Sequence, residues 1–204
     1  MPIETYLAYA AAALAITVVP GPTVTLIIAN SLTHGSAAGW KNILGTQLGL
    51  GVMIVLLAIG LSWIVGEMAV VFDWLRLAGA AYLIWLGIRL VRNPPGLEAG
   101  GTPAPPRGGF VPQGLLVILT NPKVLVVFGA FIPQFVDPNR GTIGQVLLLG
   151  ATFMVIATIT DGAYAVVFGK ARGAISRARM RLVGRISGLF LIGGGAWLAL
   201  TRAK

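Results

Sequence analysis

The sequence predicts an all-α integral membrane protein. Six transmembrane helices form two inverted three-helix repeats, with the first and fourth helices broken. Three observations predict it: apolar runs of membrane length, positive charge confined to alternate loops, and proline motifs in the middle of two spans. The 204 residues are 56% hydrophobic and 10% charged, with mean hydropathy +0.87. A soluble domain carries about 25% charged residues to cover its surface. Here the apolar residues fall at 5–32, 42–65, 70–90, 110–132, 143–168 and 182–201. Each run can cross a hydrocarbon core about 30 Å thick as a helix rising about 1.5 Å per residue, and a helix satisfies its own backbone in lipid. The first run, at 28 residues, is too long for a straight crossing and must tilt or break. The apolar stretch 6–19 follows Glu4 and has no Lys or Arg before it, so it reads as a retained span and not a cleaved signal.

Orientation follows from the basic residues. Lys41, Arg89, Arg92, Arg107, Lys170, Arg172, Arg177, Arg179, Arg181 and Arg185 lie in one set of loops, ten in all. Arg76, Arg140, Arg202 and Lys204 lie in the other, and Lys123 lies inside a span. The richer set is expected in the cytoplasm and both termini outside, in a bacterial inner membrane. The net charge of +9 is therefore topological. Nucleic acid is excluded because no single helix concentrates the charge. The basic stretch 172–185 is expected on the inner leaflet, with anionic lipid as its partner.

Residues 93–109 hold five prolines and five glycines and read as a flexible cytoplasmic linker. It divides the chain into a first repeat, 1–92, and a second, 110–204. Pro22 is matched by Pro122, Gln47 with Gly51 by Gln145 with Gly150, and Arg76-x-x-Gly79 by Arg185-x-x-Gly188. An odd number of spans per half requires the second half to be inverted, an arrangement found in secondary transporters.

Pro20-Gly21-Pro22 sits in the middle of span one. Two prolines remove two backbone donors, and proline suits the first position of a restarted helix, so the helix should restart at Pro22-Thr23. Asn121-Pro122-Lys123 in span four offers an N-cap followed by the same restart. With opposite span directions, the two helix N-termini converge on the midplane and can hold an anionic group such as a carboxylate. Lys123 lies about 9 and 13 residues from its span ends, roughly 14–20 Å at helical rise, too far to reach either surface. It is expected to face a cavity, a partner or a substrate. Asp161, within span five and flanked by Thr158 and Tyr164, has three open roles: balancing Lys123, binding a substrate ammonium, or carrying a coupling proton.

Asn30, Asn42, Thr46 and Gln47 gather in the cytoplasmic halves of spans one and two. Asn30, Thr46 and Gln47 are candidates for an inner vestibule, and hydrogen bonding between helices is the alternative. Gly35-x-x-x-Gly39 and Gly45-x-x-x-Gly49 read as close packing, within one chain or between two copies in a homodimer. His34-Gly35 reads as a helix C-terminus with the histidine in solvent.

Several chemistries are excluded. There is no G-x-x-x-x-G-K-[ST] loop, no H-E-x-x-H and no G-x-S-x-G, and one histidine cannot support a hydrolytic triad. Cysteine is absent, and intramembrane carboxylates are too few for a metal path. No enzyme activity, cofactor or metal is expected.

The ordered set of motifs is similar to the LysE/RhtB-type family of amino-acid exporters. It comprises Val19-Pro20-Gly21-Pro22, the glycine-rich region 35–51, Gly79-Ala80-Ala81-Tyr82-Leu83-Ile84-Trp85-Leu86-Gly87, Thr120-Asn121-Pro122-Lys123 and Pro133-Gln134-Phe135. The set covers roughly residues 5–200. The resemblance implies secondary export of amino acids or close analogues, driven by proton exchange. Pro20, Gly21, Pro22, Asn121, Pro122 and Lys123 supply the family's signatures, and Asp161 its acidic residue in span five. On this reading, Thr23 and Lys123 join the helix ends in holding the substrate carboxylate, with Asp161 and Tyr164 for the ammonium or the proton. The alternatives are an exporter of another solute or a cation, an intramembrane enzyme, and a structural membrane subunit.

Overall fold

A computed structural model describes residues 1–60, 69–92, 104–137, 139–173 and 177–200. Among these, every regular element is helical. The expected end of span two, most of the linker 93–109, part of the basic stretch 172–185, and Arg202 and Lys204 lie outside the described residues. Arg76 and Gly79 fall outside the described side chains.

Span one is broken where the prolines predict. Helix α1 (Ile3–Val18) and helix α2 (Pro22–His34) meet at a 51° bend. Pro22 occupies the first helical position and Gly21 the N-cap. Helix α2 ends at Gly35, whose φ of 89° is open to glycine and strained for any side chain. His34 packs edge-on against Phe110 at 5.0 Å, not in solvent as expected. Helices α3 (Ser36–Gly60) and α4 (Ala69–Arg92) complete the first half.

Span four is broken in the same way. Helix α5 (Phe110–Leu119) gives way at Thr120-Asn121 to the short helix α6 (Pro122–Val126), with a 55° bend. The chain continues as a π-helical turn, Val127–Phe131, and a 3₁₀ turn, Ile132–Phe135. Helix α7 (Thr142–Lys170) and helix α8 (Arg177–Leu200) follow, separated by a 3₁₀ turn at Ala171–Gly173. The basic residues from Arg177 on thus form the first turns of α8, which starts five residues before the expected span.

Helices α3 and α7 are each long and apolar enough to cross a membrane, and each bent pair passes as one span. That makes two to four spans by length and composition among the described residues. Their exteriors are apolar: Leu48, Val52, Val55 and Ile59 on α3, and Leu148, Val155 and Ile159 on α7, are at least half exposed.

Glycines set the helix crossings. A Cβ on Gly45 or on Gly114 would collide with the backbone of the facing helix, at the Val111 and Asn42 carbonyls respectively, so α3 and α5 touch main chain to main chain. A Cβ on Gly87 would meet the Gly188 carbonyl at 2.5 Å, and one on Gly188 the Gly87 carbonyl at 2.6 Å, which brings α4 equally close to α8. Small residues permit such approaches where burial alone offers no drive between helices in lipid. Around them, Tyr9, Leu50, Ile54, Ile118, Ile132 and Leu149 belong to one core. Tyr9 donates to the Leu149 carbonyl at 2.9 Å and stacks on Phe131 at 5.4 Å.

Candidate functional site

The two breaks meet. The Asn121 side chain caps α6 by accepting from the Lys123 amide at 3.0 Å, and its Nδ2 donates to Thr23 Oγ1 at 2.6 Å. One buried asparagine therefore joins the restart of span four to the restart of span one. Asn121→Ala is expected to lower stability by about 1 kcal/mol for the cap alone. The lost tie to Thr23 should depress transport further. Asn121→Ser, which can cap but is too short to hold Thr23, should recover the melting temperature and not the transport; equal recovery of both would remove any special role for the tie.

The helix ends differ in what they offer. On α6, Asn121 takes the Lys123 amide with its side chain and the Val124 and Leu125 amides with its carbonyl, each at 3.0 Å. On α2, the Thr25 amide bonds the Gly21 carbonyl at 2.9 Å, while the Thr23 and Val24 amides find no protein acceptor among the described residues. The positive end that stays open belongs to α2 alone. The N-cap expected at Asn121 is present, and it leaves α6 without the free donors that the α2 restart keeps.

At the other side of the break, α1 ends in carbonyls that its own helix cannot satisfy. Lys123 Nζ donates to the Ile16 carbonyl at 2.9 Å and the Val19 carbonyl at 2.7 Å. Tyr164 Oη donates to the Val18 carbonyl at 2.8 Å. Two side chains from the second half of the chain thus hold the end of α1. The Lys123 arm passes beside Gly21, where a Cβ would lie 3.6 Å from its Cε. Lys123 faces a partner, one of the expected alternatives, and the partner is main chain.

Asp161 is 6% exposed and, among the described residues, makes no hydrogen bond or ion pair with protein, Lys123 included. It and Lys123 line one cavity of about 30 Å³, walled also by Thr17, Gly21, Thr23 and Asn121 and by the apolar Val24, Leu50, Ile118, Val124, Phe153 and Ala157. That volume holds a water or two. An amino acid would need the cavity to widen. Phe153 and Ala157 precede Asp161 by eight and four residues, on its own helical face, a spacing from which they were legible in the sequence. Thr17 carried a weaker signal, as a hydroxyl three residues before the break.

The remaining polar candidates lie elsewhere. Asn30 Nδ2 donates to Asn42 Oδ1 at 2.7 Å and to Gln113 Oε1 at 2.9 Å, and Asn42 Nδ2 donates to the Phe110 carbonyl at 2.7 Å. Thr46 bonds the Ile43 carbonyl of its own helix, and Gln47 reaches the Met154 carbonyl at 3.4 Å. Asn30, Asn42 and Gln47 tie α2, α3, α5 and α7 together, and neither they nor Thr46 line the cavity. Gln145 likewise stitches the turn before α7, bonding both the amide and the carbonyl of Asp137 at 3.0 Å.

The sequence is similar to known proteins. The family profile described as LysE type translocator matches residues 14–202. A homoserine/homoserine lactone efflux protein of Salmonella typhi is 32% identical, with 99% of both chains covered. A leucine efflux protein of Klebsiella pneumoniae is 29% identical over 95% of this chain and 94% of its own. An uncharacterized membrane protein of Vibrio cholerae is 34% identical over the full length of both. No solved structure matches the chain.

Proposed function

The chain belongs to the LysE type translocator family, and from that membership we propose that it is a secondary active exporter of amino acids or close analogues in the bacterial inner membrane, exchanging them for protons. The family and the efflux proteins among its relatives make it a transporter and not an enzyme. The observation that carries the amino-acid reading is the meeting of both helix breaks at one cavity that holds a lysine and a carboxylate. A zwitterion needs both signs of charge, and buried groups left unpaired in a membrane are costly enough to be functional sites by default.

The mechanism is alternating access by two inverted halves, residues 1–92 and 110–204. Helix packing supports it. An exchange of the halves swaps spans one and four, two and five, three and six. It carries the contact of α3 with α5 onto that of α7 with α1, whereas the contact of α2 with α8 has no counterpart between α6 and α4 among the described residues. The contacts of α3 with α7 and α4 with α8 map onto themselves. Six spans, with both termini outside and anionic lipid against the basic start of α8, complete the reading. Since the glycine faces are used inside the chain, a homodimer would form through exposed apolar faces such as Leu48, Val52 and Ile59.

Efflux from proteoliposomes loaded with a panel of labelled amino acids, with and without an imposed pH gradient, tests this. Gradient-dependent efflux of one subset supports the exporter and identifies its substrates. Folded, inserted protein that exports no amino acid on the panel would overturn it.

A further inference from the structure

The broken first span brings both helix ends beside one cavity, which Thr17 of α1 and Gly21, Thr23 and Val24 at the start of α2 help to line. The end of α2 offers the free amides of Thr23 and Val24, a place for an anion. The end of α1 offers carbonyls, a place for a cation, and Lys123 Nζ already sits there at 2.9 and 2.7 Å. That ammonium is primary, as is the α-ammonium of an amino acid. Asp161 lines the same cavity as Lys123, more than nine-tenths buried, with no hydrogen bond or contact ion pair among the described residues. A buried carboxylate calls for a cation in direct contact. Lys123 acts on it through space while its ammonium bonds the α1 carbonyls.

We propose that the carbonyl end of α1 together with Asp161 is the binding site for the substrate's α-ammonium, and that Lys123 is its tethered occupant, displaced by the incoming substrate. This rests on the exporter reading and adds an order of events to it. The substrate ammonium takes the Ile16 and Val19 carbonyls and pairs with Asp161. Lys123, released, swings along the open flank of Gly21 toward the substrate carboxylate, which the Thr23 and Val24 amides also face. Neither charge of the substrate suffices alone. A carboxylate without an ammonium leaves Lys123 where it is. An amine without a carboxylate displaces Lys123 and strands it in the membrane without a counter-charge. The site therefore selects zwitterions by competition within the protein itself.

A carboxylate-free amine distinguishes this from a lysine that only satisfies orphan carbonyls. The probe is 3-methylbutylamine, titrated calorimetrically into purified protein in lipid nanodiscs. Wild type should bind it weakly. Lys123→Met removes the tethered competitor, so the amine should bind about tenfold more tightly or better, since apparent affinity scales with the fraction of sites left open. Adding Asp161→Asn to Lys123→Met should abolish the gain. Equal amine affinity in wild type and Lys123→Met overturns the proposal, as does a gain that survives Asp161→Asn. If Lys123→Met does not fold, Lys123→Gln, which keeps a donor for one carbonyl without the charge, carries the same outcomes. Wild-type efflux measured alongside separates the two readings. Efflux without the amine gain overturns the displacement and leaves the exporter. The amine gain without efflux overturns the exporter and leaves the ammonium site.

Discussion

Asp161→Asn is expected to leave the protein as stable as wild type, or more so, while slowing efflux roughly ten- to a hundredfold, the span set by losing one hydrogen bond to a charged group. The two effects point in opposite directions because of what surrounds the carboxyl. Asp161 is 6% exposed and bonds to nothing in the protein among the described residues, so the substitution removes no contact that holds the fold. Exchanging a buried charge for a neutral amide of the same shape lowers the cost of burying it. If Asp161 served only to balance Lys123, its loss would leave Lys123 uncompensated and the protein less stable. Melting temperature in detergent and efflux from proteoliposomes, measured on one preparation, decide between the two. Unchanged efflux, or destabilisation in parallel with lost efflux, would remove Asp161 from the substrate site. A buried carboxyl held without a hydrogen bond at the expense of stability is what functional positions show when they depart from local structural rules.

Why this charge was visible in the sequence and its surroundings were not is a matter of range. The breaks at Pro20-Gly21-Pro22 and Asn121-Pro122 are local chemistry: missing donors, fixed φ and a capping side chain, all within four residues. Both appear at the expected residues. Lys123 and Asp161 were legible because a charge in an apolar run has few explanations. The partner of Lys123 was not legible, because it is the main chain at Ile16 and Val19, and a carbonyl carries no sequence signal. The same holds for Tyr164, whose bond to the Val18 carbonyl joins residues 146 apart in the chain. Asn30 shows the same limit. Its polarity in a span left a vestibule and a bond between helices both open, and the partners that decide for the bond, Asn42 and Gln113, are brought within reach only by the tertiary crossing of α3 on α5. The π-helical turn at Val127–Phe131 had no signal in its sequence, which reads as an ordinary apolar helix.

That crossing is where a single added side chain should do the most structural damage. Gly45→Val is expected to cost about 3 kcal/mol or more and to reduce the yield of monodisperse protein sharply. A Cβ at Gly45 would meet the Val111 carbonyl and, at 2.8 Å, the Leu115 amide nitrogen. Both obstacles are main chain inside a helix and cannot rotate away, as a flexible side chain would. The helices must separate. Separation pulls Asn42 Nδ2 from the Phe110 carbonyl and Asn30 from Gln113, leaving polar groups without partners where lipid supplies none. Overpacking alone costs about 1–3 kcal/mol, and each stranded buried group adds about as much. Against a total stability of about 5–15 kcal/mol this is a large fraction. Gly51→Val is the matched control: the same helix and the same substitution, at a position where a Cβ meets nothing within 4 Å. It should melt like wild type. If the two variants behaved alike, the damage would come from valine in the helix and not from the crossing, and the close approach of α3 to α5 would lose its part in holding the fold together.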